Sequence, residues 1–144
     1  MAPPNPVEAK RKFFTVEEAN RTLPLIKMIV RDIVAQFRTV NELRERLSAV
    51  LRRNPRARQE DVYAEELAQS QAEMEAEEEK LRAYIEELER LGVELKGPDG
   101  LCDFPSFLDG REVYLCWRLG EPEVQYWHEL RAGVAGRQPL SAAG

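Results

Sequence analysis

The chain has 144 residues and a mass of 16.6 kDa, and 43% of its residues are hydrophobic, so it can bury one core and form one domain. Its formal net charge at pH 7 is −5, which opposes binding of nucleic acid or anionic lipid by bulk charge. The first twelve residues carry prolines and charges where a secretory signal has an apolar stretch, and no apolar run is long enough to span a bilayer. We therefore expect a cytoplasmic protein that neither enters a membrane nor takes a nucleic acid as partner.

The cysteine count also argues against a secreted domain. Cys102 and Cys116 allow at most one disulfide, which is not the framework of a small extracellular fold, and we expect both thiols to be reduced. The two ends of the chain are rich in proline or in small residues. We predict disordered tails over residues 1–12 and 141–144, and a single ordered domain over residues 13–140.

The first half of the chain has the period of a helix. Thr15 followed by Glu18 fits a capping box, which predicts a helix start at Val16. A proline inside a helix removes a backbone hydrogen bond, so Pro24 predicts a break between a short turn over residues 16–21 and a long helix over residues 24–52. Apolar residues spaced by three and four form a coiled-coil-like seam. They are Leu23, Ile26, Val30, Ile33, Phe37, Val40, Leu43, Leu47 and Val50.

A second helix is predicted from Asp61, a candidate N-cap, to Leu91, so residues 16–91 form an antiparallel helical hairpin. Four of its apolar residues recur every seven positions: Leu67, Met74, Leu81 and Leu88. Gln71 and Glu78 occupy the intervening seam positions, which leaves the middle of the helix thinly apolar. A half-filled seam on a long arm favours packing against a second copy of the chain, and we predict a homodimer. Folding of the β-rich half over the arm is the alternative.

From Val93 onward the hydrophobic period changes to two. The stretch "GPDG" at residues 97–100 predicts a turn between extended segments, and the pair Asp109 and Gly110 is a strong hairpin signal. Residues 93–130 are therefore predicted to form a small antiparallel β-meander. The predicted fold class is α+β, a long antiparallel helical hairpin followed by this meander.

The register of the last hairpin can be argued from charge. If "LGEP" is a four-residue loop, Arg118 lies opposite Glu123, which brings unlike charges together. This register predicts that His128 lies on the apolar side of the sheet, which faces the helices. It also places Trp127 on the opposite, polar side with Cys116.

The only histidine of the chain, His128, limits the metal chemistry that the sequence allows. One histidine excludes the HExxH motif and a two-histidine triad within one chain. A mononuclear site would combine it with carboxylates or a thiolate. The candidate ligands are His128, Glu129, Glu121, Glu123, Asp103 and Cys116. Such ligands suit zinc, iron or manganese, so the predicted cofactor, if there is one, is a single ion of this kind.

A structural interpretation of the same residues is open too. His128 can be a partly buried histidine that is hydrogen-bonded to a backbone carbonyl or a carboxylate. Cys116 has Arg118 nearby, but a cysteine within a strand is more often a packed residue than a nucleophile, and no catalytic residue is predicted. The other candidates for a polar site are Arg118, Tyr126, Trp127 and Arg137.

Three stretches carry a resemblance to a known family: "FFTVEEANRTLPLI", "DFPSFLDGREVYLCWRLGEPEVQYWHEL" and "GRQPL". They resemble the bacterial family catalogued as domain of unknown function 2203, and the likeness extends from about Phe14 to Leu140. The family implies no established activity. The positions that match its motifs are Asp103, Pro105, Gly110, Cys116, Trp117, Arg118, Gly120, Glu121, Pro122, Trp127, His128, Glu129 and Arg137. Cys102 departs from the family pattern, where an aliphatic residue is usual, which weakens a zinc site built from Cys102, Cys116 and His128.

The sequence thus predicts a homo-oligomeric binding or scaffold protein of the bacterial cytosol without catalysis, for which a protein partner is conceivable. The alternative is a metal-binding protein, with or without enzymatic activity, whose site is centred on His128 and nearby carboxylates.

Overall fold

A computed structural model describes residues 12–53 and 61–140. The helices are α1 (Val16–Arg53) and α2 (Asp61–Arg90), and the strands are β1 (Glu94–Leu95), β2 (Leu101–Leu108), β3 (Arg111–Arg118), β4 (Tyr126–His128) and β5 (Gln138–Pro139). A 3₁₀ turn at Val134–Gly136 precedes β5. The strands form one antiparallel sheet in the order β1-β2-β3-β4-β5, which confirms the predicted α+β class and meander.

Some predictions fall outside this part of the chain. We predicted disordered tails over residues 1–12 and 141–144. The structure does not describe residues 1–11 and 141–144, so nearly all of this prediction lies outside the described residues. Within the described residues, no helix has the length and apolar character needed to cross a membrane.

Helix α1 begins as the capping box predicts, but it does not break at Pro24. The Thr15 hydroxyl oxygen accepts a hydrogen bond from the Glu18 N–H at 3.0 Å, and the helix then continues without interruption to Arg53. The predicted break was wrong because Pro24 points to solvent while Leu23 and Ile26 beside it are buried. A proline inside a helix destabilises the fold by about 3 kcal/mol, and the burial of two aliphatic side chains stabilises it by a similar or larger amount.

Helix α2 ends within one residue of the predicted position, where a glycine reverses the chain. Gly92 has φ +88°, and its N–H donates to the Glu89 carbonyl at 2.9 Å. The Val93 N–H donates to the Leu88 carbonyl at 3.4 Å, so the last turn of the helix is closed by backbone hydrogen bonds. This reversal directs the chain from α2 into β1.

The core lies between the hairpin and one face of the sheet. Phe104, Leu115 and Trp127 are partners across β2, β3 and β4, so their side chains share the face that meets the helices. The helical side of the same core includes Leu23, Ile26, Val30, Ile33 and Leu88. Both predicted turns of the sheet are present. In the first, the Gly100 N–H donates a hydrogen bond to the Gly97 carbonyl. In the second, Asp109 and Gly110 have φ values of 54° and 76°, as a tight hairpin requires.

The register of β4 differs from the prediction by one residue. Tyr114 lies opposite His128, Leu115 opposite Trp127, and Cys116 opposite Tyr126. Since the side chains of a strand alternate between faces, this shift exchanges the two sides of β4. His128 therefore lies on the polar face, away from the helices, and Trp127 lies in the core.

The predicted pair of Arg118 and Glu123 was also wrong. The Arg118 guanidinium lies 3.0 Å from the Asp99 carboxylate instead, and Glu123 is exposed in the loop before β4. The chain turns at Gly120, where the Glu121 N–H donates a hydrogen bond to the Arg118 carbonyl. It then has no regular secondary structure until β4 begins. The loop is thus longer than four residues, which moves Glu123 out of the ladder.

Contacts with α1 hold this longer loop in place. The Asn20 amide oxygen accepts a hydrogen bond from the Val124 N–H at 2.7 Å, and the Asn20 amide nitrogen donates to the Val124 carbonyl at 3.4 Å. The Lys27 ammonium donates to the Pro122 carbonyl at 3.1 Å. Val124 is buried, so its backbone polar groups depend on Asn20 for partners.

We expect Asn20→Ala to lower the free energy of unfolding by about 1–3 kcal/mol, because it leaves the buried polar groups of Val124 without partners. Urea unfolding followed by circular dichroism measures this change. Asn41→Ala is the matched control, since Asn41 lies on the same helix but is exposed. Equal effects of the two substitutions would contradict the role that we assign to Asn20.

Candidate functional site

Three side chains converge on the polar face of the sheet, one from each of three adjacent strands. Asp103 of β2 lies directly opposite Cys116 of β3, and His128 of β4 lies beside Cys116 along the sheet. All three are buried, and a ligand atom of each lies within 4.8 Å of the others. We call Asp103, Cys116 and His128 the polar cluster. They are the three predicted metal ligands that the fold brings together.

Hydrogen bonds fix the orientation of the His128 ring. Its Nδ1 lies 2.7 Å from the Glu129 carbonyl oxygen, and its Nε2 lies 2.9 Å from an Asp103 carboxylate oxygen. A carbonyl oxygen can only accept, so Nδ1 carries a hydrogen, and the contact with Asp103 holds one further hydrogen between the two groups. His128 thus has both kinds of partner that the structural interpretation expected. It also presents Nε2 to the polar cluster.

The two cysteines lie on opposite faces of the sheet. Burial raises the pKa of the Cys116 thiol to about 11, although the neighbouring Arg137 acts to lower it. Burial also raises the pKa of Cys102, to about 12, and this residue packs in the core against the helices. Both are free thiols. A thiol that stays protonated at neutral pH is a poor nucleophile. Because the Cys102 side chain lies on the face opposite to that of Cys116 and His128, these three residues cannot form one metal site.

Arg137 and Glu121 form a bidentate ion pair at the edge of the polar cluster. The guanidinium donates to the two carboxylate oxygens at 2.9 and 2.5 Å and to the Cys116 carbonyl at 3.3 Å. The same carboxylate accepts the Arg118 N–H at 2.7 Å, and the guanidinium carbon lies 4.2 Å from the centre of the Tyr126 ring. These contacts join the loop before β4, strand β3 and the segment before β5 beside the cluster.

Lys96, Glu94 and Tyr114 line the other side of the cluster. The Lys96 ammonium lies 3.0 Å from the Glu94 carboxylate, and the Tyr114 ring centre lies 5.6 Å from that of His128. Burial acts to lower the pKa of Lys96, but Glu94 and Asp103 outweigh it and raise the pKa above its ordinary value. We did not predict Lys96 or Glu94 as site residues. The only sequence signal was the alternation in "ELK", which places both residues on the same side of the extended segment that contains β1.

The remaining candidates lie away from the cluster. Glu129 pairs with the exposed Arg111 at 2.8 Å and is itself half-buried, and Glu123 is exposed. Trp127 packs in the core. Arg118 pairs with Asp99. Of the four carboxylates that we considered as ligands, Asp103 is therefore the one that faces both Cys116 and His128.

The ion pair with Arg137 predicts a pH dependence of stability. Burial alone would raise the pKa of Glu121, but the hydrogen bonds from Arg137 and from the Arg118 N–H outweigh it and lower the pKa. A carboxylate whose pKa is lower in the folded state stabilises the fold above its unfolded-state pKa, about 4.3, and this contribution disappears as the pH falls through the folded-state pKa.

We therefore expect Glu121→Gln to lower the free energy of unfolding by roughly 1–2 kcal/mol at pH 7, and the difference from wild type to shrink below about pH 4. Urea unfolding at a series of pH values measures both. Glu123→Gln is the control, because Glu123 is exposed and should show little difference at any pH. A difference for Glu121→Gln that stays constant down to strongly acidic pH would contradict this account.

The chain was compared with known proteins. No curated protein and no solved structure matches it significantly. Residues 12–140 match the family described as uncharacterized conserved protein DUF2203. The match includes the hairpin, the sheet and every residue of the polar cluster, and it agrees with the resemblance seen in the sequence motifs. The chain therefore belongs to the family of domain of unknown function 2203.

Proposed function

We propose that this protein binds one divalent transition-metal ion, with zinc preferred, through Asp103, Cys116 and His128. The observation that carries the proposal is the convergence of a carboxylate, a thiol and an imidazole, all buried, with ligand atoms within 4.8 Å of one another. Zinc binds these three donors in proteins, and a thiolate ligand favours zinc over manganese. The scaffold role predicted from the sequence has no need of such a buried cluster.

The ligand atoms of the cluster lie between 2.9 Å and at most 4.8 Å apart, a range that includes the separations found around a metal ion. In a tetrahedral zinc site, bonds of about 2.0–2.3 Å separate the ligand atoms by about 3–4 Å. The contact of 2.9 Å between His128 and Asp103 is somewhat shorter, because a hydrogen now lies between the two atoms. A bound ion replaces that hydrogen and the thiol proton of Cys116, so metal binding is coupled to proton release.

The surroundings of His128 support a role as ligand. Metal-binding histidines generally donate their second ring N–H to a carbonyl or carboxylate, which fixes the tautomer and the ring plane. The Nδ1 of His128 has such a contact with the Glu129 carbonyl, so Nε2 is the nitrogen left for the ion. Three protein ligands leave one tetrahedral position for water or another molecule. The proposal concerns metal binding and assigns no reaction.

We expect the wild-type protein to bind about one equivalent of zinc, and Cys116→Ala to weaken that binding by more than about 100-fold, the upper end of what outer-shell changes cost. Isothermal titration calorimetry with ZnCl₂ on metal-stripped protein measures the affinity. Titration with Co²⁺ adds a direct readout, because a cobalt–thiolate bond gives a charge-transfer absorption band that requires Cys116.

Cys102→Ala is the matched control, because Cys102 is an equally buried cysteine on the neighbouring strand whose side chain faces the helices. It should keep both the zinc affinity and the cobalt–thiolate band. Circular dichroism verifies that each variant is folded. If the wild type binds no stoichiometric metal, or if Cys116→Ala binds as tightly as Cys102→Ala, the cluster is a hydrogen-bonded structural element and the proposal is wrong.

A further inference from the structure

The end of the helical hairpin that is remote from the sheet has a poorly covered seam. We call residues 38–52 of α1 and 63–80 of α2 the distal arm. The core that includes the sheet contains α1 residues up to Phe37 and α2 residues from Leu81 onward, so in the described chain the distal arm consists of two helices packed only on each other. At 1.5 Å per residue it is about 22 Å long.

The apolar side chains of the distal arm are only partly protected from water. Of its described residues, Val40 and Leu67 are the buried hydrophobic ones, whereas Val50 is 39% and Tyr63 38% exposed. An open groove of about 250 Å³ runs along this seam. The apolar residues that line it are Leu43, Leu47, Val50, Tyr63 and Leu67. Two helices cannot enclose a seam from both sides, and long hairpin arms of this kind are completed by further helices.

The charges of the distal arm indicate which kind of helix covers its exposed apolar seam. Residues 38–52 contain four arginines and two glutamates, whereas residues 63–80 contain seven glutamates and one lysine. One ion pair, between Arg44 and Glu78 at 4.0 Å, links the two helices among the described residues of the arm. Arg46 pairs with Glu42 on its own helix at 3.9 Å, so among the described residues of the arm the contact of Arg44 with Glu78 is the one ion pair that joins the positive charge of α1 to the negative charge of α2.

We infer that the distal arm docks against the distal arm of a second copy, with α1 of each chain against α2 of the other. A two-fold axis makes this contact twice, covers both seams and forms a four-helix bundle. The charge pattern selects a second copy as the occupant, because the same chain offers a basic helix and an acidic helix side by side. The inference is independent of the proposed metal site, which lies on the far face of the sheet.

Sedimentation velocity on the full chain at micromolar concentration tests the assembly. We expect twice the mass of 16.6 kDa for the wild type. Val50→Glu places a charge in the apolar groove and should weaken dimerisation by about 30-fold or more, the effect of losing one hot-spot residue. Met28→Glu is the control, because Met28 is a 64% exposed apolar residue on the same helix outside the arm, and it should leave the dimer intact.

Charge exchange tests the pairing of α1 with α2. One variant carries Arg44→Glu and Arg46→Glu on α1, and the other carries Glu66→Arg and Glu73→Arg on α2. Each variant alone brings like charges together at both contacts and should be monomeric, whereas their mixture restores attraction at both and should give a heterodimer. A monomeric wild type, a dimer that persists in Val50→Glu, or a mixture that stays monomeric would each overturn the inference.

Discussion

The polar cluster depends on the two hydrogen bonds between Asn20 and the backbone of Val124. They hold the loop before β4 against α1, and the position of that loop decides where β4 begins. Because the side chains of a strand alternate, a shift of one residue would turn His128 into the core and Trp127 out of it. The Asn20 contact thus stabilises the loop position that, together with the pairing of β4 with β3 and the burial of Trp127, places the imidazole on the far face of the sheet.

The two faces of the sheet have different chemistry. The face toward the helices is a close-packed apolar layer, whereas the far face buries a carboxylate, a thiol and an imidazole in a chain of 144 residues. Burial of such groups is tolerated because the imidazole is hydrogen-bonded to the Asp103 carboxylate and to the Glu129 carbonyl, and because the thiol stays neutral, as the raised pKa of Cys116 indicates. The ion pair of Arg137 and Glu121 lies beside the cluster and links the loop before β4 to the segment before β5.

The two proposals concern separate regions. The polar cluster lies on the sheet, where backbone pairing between strands holds the three side chains at fixed spacing, and such rigid elements suit a metal site. The distal arm has little contact with that sheet and carries the complementary charges of α1 and α2. Taken together, the two proposals describe a protein that assembles through its helices, with the polar cluster on the face of the sheet away from them.

Local patterns in the sequence determined most of the fold. The capping box, the helical periods, the turn at residues 97–100 and the Asp109–Gly110 hairpin each depend on neighbouring residues, so the sequence alone predicted them. It also named Asp103, Cys116 and His128 among its candidate ligands, because the chain has one histidine and two cysteines and these carboxylates and thiols lie near that histidine in the motif. Two features required the tertiary structure. The helix continues through Pro24 because the sheet buries the residues beside it, and the register of β4 depends on Asn20, which is 104 residues away from Val124 in the chain. The face on which His128 lies, and with it the polar cluster, follows from the pairing of β4, the burial of Trp127 and the contact with Asn20, none of which a local pattern contains.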